Sequence, residues 1–311
     1  MTDFSTIFHS PRSQTFSAKQ AFGVDIPTIE ICDVGAMTEG VDRYAPLVEQ
    51  GIANINGFEP DPKQFARLRA ANRPRARYFQ AFVGSGGPAT FHIARYPGCS
   101  SLYEADPGVI DLFSSIGASV GGNFTVTSTE SINTTRLDDV QGLPPIDFLK
   151  LDVQGAELDV LKGATRTLES TLVIESEVEF VPLYKNQPLF GDIQVFLRER
   201  GFVFHKFLDI AGRSFRPFNG PGGNPFTAMS QALWADAIFV RDFSKLDRFS
   251  DEQLIKCAAI LMQAYHSHDL VHYLLREYDR RRKTSIAQRY AQTILAQPTL
   301  RTEYMTHKIR P

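Results

Sequence analysis

Twice near its start, the chain runs a short apolar strand into an acid and follows it with a helical stretch. Thr28–Asp33 (TIEICD) is the first such strand and Ile52–Glu59 (IANINGFE) the second. Their separation equals one β-α-β unit, with Arg43–Gln50 as the intervening helix. Asp61–Ala71 repeats the helical spacing, with Phe65 and Leu68 on one face, and Arg77–Val83 reads as a third strand. The rhythm returns at Ile146–Asp152 (IDFLKLD), then an amphipathic helix over Glu157–Glu169 and a strand over Thr171–Val178. Asp192–Arg200 reads as a helix stopped by Gly201, and Phe202–Phe207 and Ala235–Val240 as the last strands. Such alternation predicts an α/β fold of Rossmann-like type, a doubly wound and mostly parallel sheet.

Two stretches depart from this rhythm. Between Gly84 and Thr135, glycines alternate with aromatic and β-branched residues, which predicts inserted hairpins and loops. Thr90–Ile93 and Phe124–Ile132 are its candidate strands and Pro107–Ser115 a short helix. Beyond Ser250 only helical spacing remains, at Asp251–Tyr265, Leu270–Arg281 and Ser285–Leu295. The expected organisation is therefore a leader over 1–27, an α/β domain over 28–245 with 84–135 inserted, and a helical appendage over 246–311. The Gly/Pro stretch Asn219–Pro225 reads as a mobile loop or lid.

Composition narrows the function classes. A net charge of -2 argues against a dedicated nucleic-acid binder. The run Arg280, Arg281, Arg282, Lys283 reads as a solvated helix end before it reads as a phosphate site. The three cysteines, Cys32, Cys99 and Cys257, fit no metal-ligand spacing and suit a reducing compartment. The sequence shows no signal peptide and no transmembrane segment, so the expectation is a cytoplasmic protein.

Ligands of open α/β sheets bind beyond the carboxyl ends of the strands, where the winding reverses. The first such end carries Asp33, Gly35 and Ala36, with Gly40 further on; the second carries Glu59, Pro60 and Asp61. An acid ending a second strand suits the two hydroxyls of a ribose. From the residues alone, this pair reads equally as a nucleoside site or as two ordinary β-α turns. No G-x-G-x-x-G follows the first strand, which disfavours a nicotinamide-dependent dehydrogenase.

Asp147–Glu157 (DFLKLDVQGAE), continued by Leu158–Ala164 (LDVLKGA), closely resembles the signature of the FkbM family of S-adenosylmethionine-dependent methyltransferases. Cys99–Leu102 (CSSL), Arg136–Val140 (RLDDV), Val178–Phe190 (VEFVPLYKNQPLF) and Trp234–Val240 (WADAIFV) follow in the family's order. The resemblance implies that S-adenosylmethionine is the cofactor, with Asp33–Ala36 at its methionine moiety. It further implies Glu59, flanked by Pro60, at the ribose, Gln80 and Ala81 near the adenine, and Asp152 facing the reacting methyl. It implies O-methylation of a hydroxyl on a sugar, glycan or small-molecule metabolite. The chain departs from the family pattern at Met37, at the late Gly40 and at Gln154, where the family favours Glu. Those departures are the only support for the alternative, an inactive binding or scaffold protein.

Methyl transfer is an in-line displacement, so the protein must align the reactants and help to remove the acceptor's proton. Candidate bases are Asp152, the same-face acids Glu175, Glu177 and Glu179, and His205; His92 is a weaker one. Asp152 with a second carboxylate could hold Mg²⁺, but no full ligand set is visible and the ion is not favoured. His266 and His268 do not share a helical face and are not a metal pair. A homodimer is the expected assembly, because twofold association is the commonest.

Overall fold

In the computed structural model of the chain, residues 16–36, 42–227 and 230–296 are described. In chain order the strands are β1 (Ile29–Val34), β2 (Ala53–Phe58), β3 (Ala76–Phe79), β4 (Phe82–Val83), β5 (Gly87–Ala94), β6 (Val126–Thr135), β7 (Phe148–Leu151), β8 (Val173–Glu179), β9 (Phe202–Gly212) and β10 (Ala232–Arg241). The helices are α1 (Ala18–Phe22), α2 (Ala45–Glu49), α3 (Pro62–Ala70), α4 (Pro107–Ile110), α5 (Glu157–Lys162), α6 (Thr167–Ser170), α7 (Phe190–Glu199), α8 (Asp251–Tyr265), α9 (His268–Arg282) and α10 (Ile286–Leu295).

Seven strands form one sheet in the order β3-β2-β1-β7-β8-β10-β9. β1 pairs in parallel with both β2 and β7, so the winding reverses between β1 and β7. β8 continues the parallel set, and β10 runs antiparallel between β8 and β9. This is the doubly wound, mostly parallel Rossmann-like sheet expected from the strand-helix rhythm. Cys32, Val34, Leu149, Leu151, Ile174 and Val178 pack with Leu158, Leu161, Ile193 and Leu197 of α5 and α7 into one buried core. Strands of a parallel sheet are covered by helices, and their apolar runs supply that core.

Local structure differs from the expected elements in two instructive places. The third strand divides at Gln80-Ala81: β3 stays in the main sheet, while β4 pairs with β6 in a small three-stranded sheet of order β4-β6-β5. The helix expected over Glu157–Glu169 breaks into α5 and α6. At Gly163 a Cβ would stand 2.1 Å from the Gly84 carbonyl oxygen, so the chain passes too close for a side chain. Asp138 then accepts from the backbone N–H groups of Arg166 (2.9 Å) and Thr167 (2.8 Å), restarting the helix. In the inserted region the short helix is confined to α4, and Asn219–Pro225 holds a 3-10 turn at Pro221–Gly223.

The described residues divide into two units. The sheet unit comprises 29–36, 53–227 and 230–245; a helical unit comprises 16–28, 42–52 and 246–296. Within the helical unit, α1 and α8 each begin with a reciprocal capping box, at Ser17/Gln20 and Ser250/Gln253. Gln263 of α8 accepts from Gln50 at 2.8 Å and donates to the Phe16 carbonyl at 2.8 Å. The three arginines of the Arg280–Lys283 run meet carboxylates of their own unit, while Lys283 donates to the Arg280 carbonyl. Arg280 and Arg281 both meet Glu277 at 2.7 Å, and Arg282 lies 3.7 Å from Asp251. Among the described residues, no helix is long and apolar enough to cross a membrane.

Candidate active site at the strand ends

The reversal between β1 and β7 brings two turns into contact. Gly35 follows β1 with φ +90, a left-handed conformation that glycine alone adopts without strain. A Cβ there would lie 2.0 Å from the Asp152 carbonyl oxygen, so glycine is also required by the approach of the β7 end. The Gly35 and Ala36 N–H groups donate to the Phe58 carbonyl at 3.1 and 3.0 Å, tying this turn to the end of β2. Asp33, one residue inside β1 and buried, is held by Lys150 of β7 at 3.1 Å.

Glu59 sits directly after β2 and is buried. Its Oε1 accepts from the Asp61 N–H at 2.7 Å, and Asp61 in turn caps α3. Burial is the main reason that its carboxyl rises to about 7, with Asp61 and Asp33 adding to the rise. Gln80 is exposed and reaches toward the Pro60 carbonyl at 3.5 Å, and half-buried Ala81 follows it. Asp33, Gly35, Ala36, Glu59, Pro60, Gln80, Ala81 and Asp152 therefore all stand at the carboxyl ends of β1, β2, β3 and β7.

Beside them lies a group of carboxyls. Gln154, in a left-handed conformation at φ +56, donates from Nε2 to Asp152 Oδ1 (3.0 Å) and Glu177 Oε2 (2.8 Å). Ser101 fixes that turn from the inserted region by donating to the Gln154 carbonyl at 2.6 Å. Glu157 supports it from beneath, its Oε1 accepting from the Val153 (2.9 Å) and Gly155 (3.2 Å) N–H groups. Burial lifts Glu157 to about 7, partly offset by those N–H groups, while Asp152 adds to the rise. Glu177 is pushed well above the usual carboxylate range, first by burial and then by Asp152, Glu179, Glu157 and Asp236. Glu179 is raised likewise, by burial and by Glu157, with the Gln187 amide acting in the opposite direction. Carboxyls raised in this way keep their protons to higher pH, and one of them can take a proton from a hydroxyl only once it is ionised.

Glu179 Oε2 and Gln187 Nε2 are buried here and make no hydrogen bond of normal geometry among the described residues, the amide lying near enough only to lower the Glu179 pKa. The Gln187 Oε1 accepts from the Tyr184 N–H at 3.1 Å, which fixes which way its amide nitrogen points. Tyr184 is itself anchored, donating from its hydroxyl to the Cys99 carbonyl at 3.1 Å.

The other sequence candidates lie elsewhere. Glu175 is buried one pair deeper in β8, in register with Lys150, so it shares a row with Asp33 and Lys150 rather than with Asp152. His205 lies on β9, the edge strand, with β10 and β8 between it and β7. His92 is in β5 of the small sheet, its N–H donating to the Ser101 carbonyl at 2.8 Å. His268 meets the Tyr290 hydroxyl at 2.7 Å in the helical unit. Met37 and Gly40 lie outside the described residues. Among the described residues, no group of three or more His, Cys, Asp or Glu side chains is placed to hold a metal ion. Ser101, Glu157, Tyr184 and Gln187 carried no chemical role in the sequence reading, although each falls within a motif quoted there.

The family model described as "Methyltransferase FkbM domain" matches residues 33–204. The 2-O-methyltransferase NoeI of Sinorhizobium fredii is 31% identical over 167 residues, covering 52% of this chain and 68% of that protein. The hexuronic acid methyltransferase AglP of Haloferax volcanii is 31% identical over 128 residues, covering 40% of this chain and 47% of that protein. Among solved structures, precorrin-6y C5,15-methyltransferase of Geobacter metallireducens aligns with a TM-score of 0.35 at 13% identity, over 72% of this chain and 85% of that one.

Proposed function

The chain belongs to the FkbM methyltransferase family, and on that premise we propose that it transfers a methyl group from S-adenosylmethionine to a hydroxyl oxygen of a carbohydrate. The observation that carries this reading is the contact between the Gly35 turn and the end of β7, with Glu59 on one side and the Asp152–Glu177 carboxyls on the other. The residues present fit the cofactor. At Gly35 the Asp33–Ala36 turn lies against the Asp152 carbonyl, with no room for a Cβ, which brings the two strand ends together where the cofactor would bind. Glu59, once ionised, can accept both ribose O–H groups. The relative named a 2-O-methyltransferase supports an oxygen acceptor, and the one named a hexuronic acid methyltransferase supports a carbohydrate.

S-adenosylmethionine supplies an electrophilic methyl on a sulfonium, which becomes S-adenosylhomocysteine when the C–S bond breaks. The chain's own residues do the rest. Asp152, at the end of β7, stands where it would face that methyl and orient the acceptor oxygen. Glu177, once ionised, takes the hydroxyl proton as the new C–O bond forms. Gln154 keeps the two carboxyls at fixed separation through one donating nitrogen. The positive charge that the cofactor would bring beside Asp152 would favour the ionised carboxylates. Positioning and proton removal are the two effects that a methyl-transfer site must provide.

The test is transfer of labelled methyl from S-adenosylmethionine to a panel of oligosaccharides by the purified chain. Glu177→Gln should lose most of the rate while retaining S-adenosylhomocysteine affinity. Full activity in Glu177→Gln would remove it from the mechanism.

A further inference from the structure

At the far side of the same sheet edge, a half-buried cation has no counter-charge among the described residues. Arg213 directly follows β9, and its guanidinium lies 4.9 Å from the Trp234 ring centroid and 6.0 Å from that of Phe226. Its Nε is buried and has no hydrogen-bond partner. Among the described residues its only hydrogen bond is from Nη1 to the Gly212 carbonyl, at 2.7 Å, and it makes no ion pair. Burial lowers its pKa, with no carboxylate acting against the loss.

Other arginines of this unit show what a structural role looks like here. Arg241 donates to the carbonyls of Thr171, Leu168 and Arg200 while lying 4.0 Å from the Phe202 ring centroid. Arg213 satisfies one carbonyl and leaves a donor idle. An unpaired charge taken out of water costs stability unless something of opposite charge completes it. The idle fork of a guanidinium matches a carboxylate, sulfate or phosphate.

Its position says which molecule would bring that anion. Trp234 on β10 is the register partner of Glu179 on β8 and of Ala211 on β9, and Arg213 follows two residues beyond Ala211, just past the end of the outer strand. Neighbouring strands are about 4.8 Å apart and β10 lies between β8 and β9, so Arg213 stands at least about 10 Å from the β8 carboxyls. That distance exceeds the gap between adjacent substituents on one sugar ring. Arg213 and the Trp234 ring thus lie together on the outer-strand side of the Glu179 end of β8.

We propose that Arg213, framed by Trp234 and Phe226, is an acceptor-specificity residue that binds an anionic substituent of the sugar substrate. The proposal rests on the carbohydrate reading above and narrows it to acidic glycans. The methylated hydroxyl lies at Asp152 and Glu177, and the acidic group lies away from it, toward β9.

Trp234 is the chain's single tryptophan, so its fluorescence reports on this place directly. The experiment titrates the full chain with sodium glucuronate and, at matched ionic strength, with glucose, and follows that emission. Glucuronate should give a saturable change at least tenfold tighter than glucose. Arg213→Gln should reduce glucuronate to the glucose level, and Arg213→Lys should restore part of the difference. Arg213→Met keeps the bulk against Trp234 and should melt at or above the wild-type temperature. Equal responses to glucuronate and glucose, no response to glucuronate, or a response unchanged in Arg213→Gln would each overturn the proposal. So would a fall in melting temperature in Arg213→Met with the glucuronate response intact. S-adenosylhomocysteine binding, measured on the same samples, separates the two readings. Its absence would sink the cofactor assignment and leave the anion site standing.

Discussion

Gln154 donates to Glu177 across 2.8 Å, and the same amide nitrogen lies 3.0 Å from Asp152 Oδ1. One neutral donor thus stands between two carboxyls that would otherwise repel each other. The left-handed turn at Gln154 and the Ser101 hydrogen bond to its carbonyl hold that donor in place. The family's more usual Glu at this position would put a third carboxyl where the chain has an amide.

Gln154→Glu therefore tests the cluster's electrostatics. The substitution removes a donor and adds a like charge, raising the carboxyl pKa values further. A base must be ionised to act, so activity is lost as pH falls through its pKa. The acid limb of the rate profile should move toward alkaline pH by about one unit or more, as expected for carboxylates sharing a site. Rate-pH profiles of the two proteins check it; coincident profiles would contradict the assigned cluster.

Glu59 makes cofactor affinity depend on pH. Its carboxyl is raised to about 7. Above the unfolded value and up through about 7, the folded chain keeps a proton that the unfolded chain has lost, so stability from this group falls as pH rises. Cofactor binding runs the other way, because the ionised form accepts the ribose hydroxyls. S-adenosylhomocysteine should bind more tightly at pH 8 than at pH 6. Glu59→Gln should remove that dependence and weaken binding by roughly 10- to 100-fold at pH 8, the worth of charge-assisted hydrogen bonds. It should also raise the melting temperature of the free protein at pH 8. Calorimetry at the two pH values, with a melting curve, reads all three.

Gly35→Ala should remove cofactor binding and cost stability. The backbone strain alone amounts to about 1–3 kcal/mol. The Cβ would stand 2.0 Å from the Asp152 carbonyl oxygen, so the β7 end must also shift. Urea denaturation together with S-adenosylhomocysteine titration measures both losses.

Arg241→Met provides the opposite pattern. Arg241 gathers carbonyls from α6, α7's end and the start of β8 far from the site. Leaving those carbonyls without a donor should cost about 2–4 kcal/mol in urea denaturation. S-adenosylhomocysteine affinity of the folded fraction should be unchanged.

The sheet was legible because buried parallel strands write near-continuous apolar runs, and because their carboxyl ends are marked by Asp33, Glu59 and Asp152. What was not legible depends on close approach between distant segments. Nothing local in the sequence distinguishes Gly163, which breaks a helix only because the Gly84 carbonyl lies against it. The division of β3 from β4 follows from the pairing of β4 with β6, far along the chain. Glu177 belonged to a recognisable alternation with Glu175 and Glu179, but the alternation could not say which acid stands beside Asp152. The register does: Lys150 lies beside Glu175, and Gln154 reaches Glu177. Gln187 and Tyr184 gained meaning only once their segment folded back over the turn at Gly155, where a Cβ would meet Gln187 Nε2 at 2.7 Å. Arg213 carries no sequence signal, since what marks it is its lack of an ion pair among the described residues and its place beside Trp234.

The central claim is that the ends of β1, β2 and β7 form an S-adenosylmethionine pocket. Isothermal titration of the purified chain with S-adenosylhomocysteine, beside Glu59→Ala and Asp33→Asn, tests it most directly. Asp33→Asn keeps the shape of the residue that Lys150 holds, so lost binding would not simply report a lost fold. The account predicts a saturable one-to-one signal, weakened by both substitutions, and thermal stabilisation by about 2.7 kcal/mol at 100 times the dissociation constant. A folded wild-type chain that gives neither heat nor stabilisation at high ligand excess would contradict it.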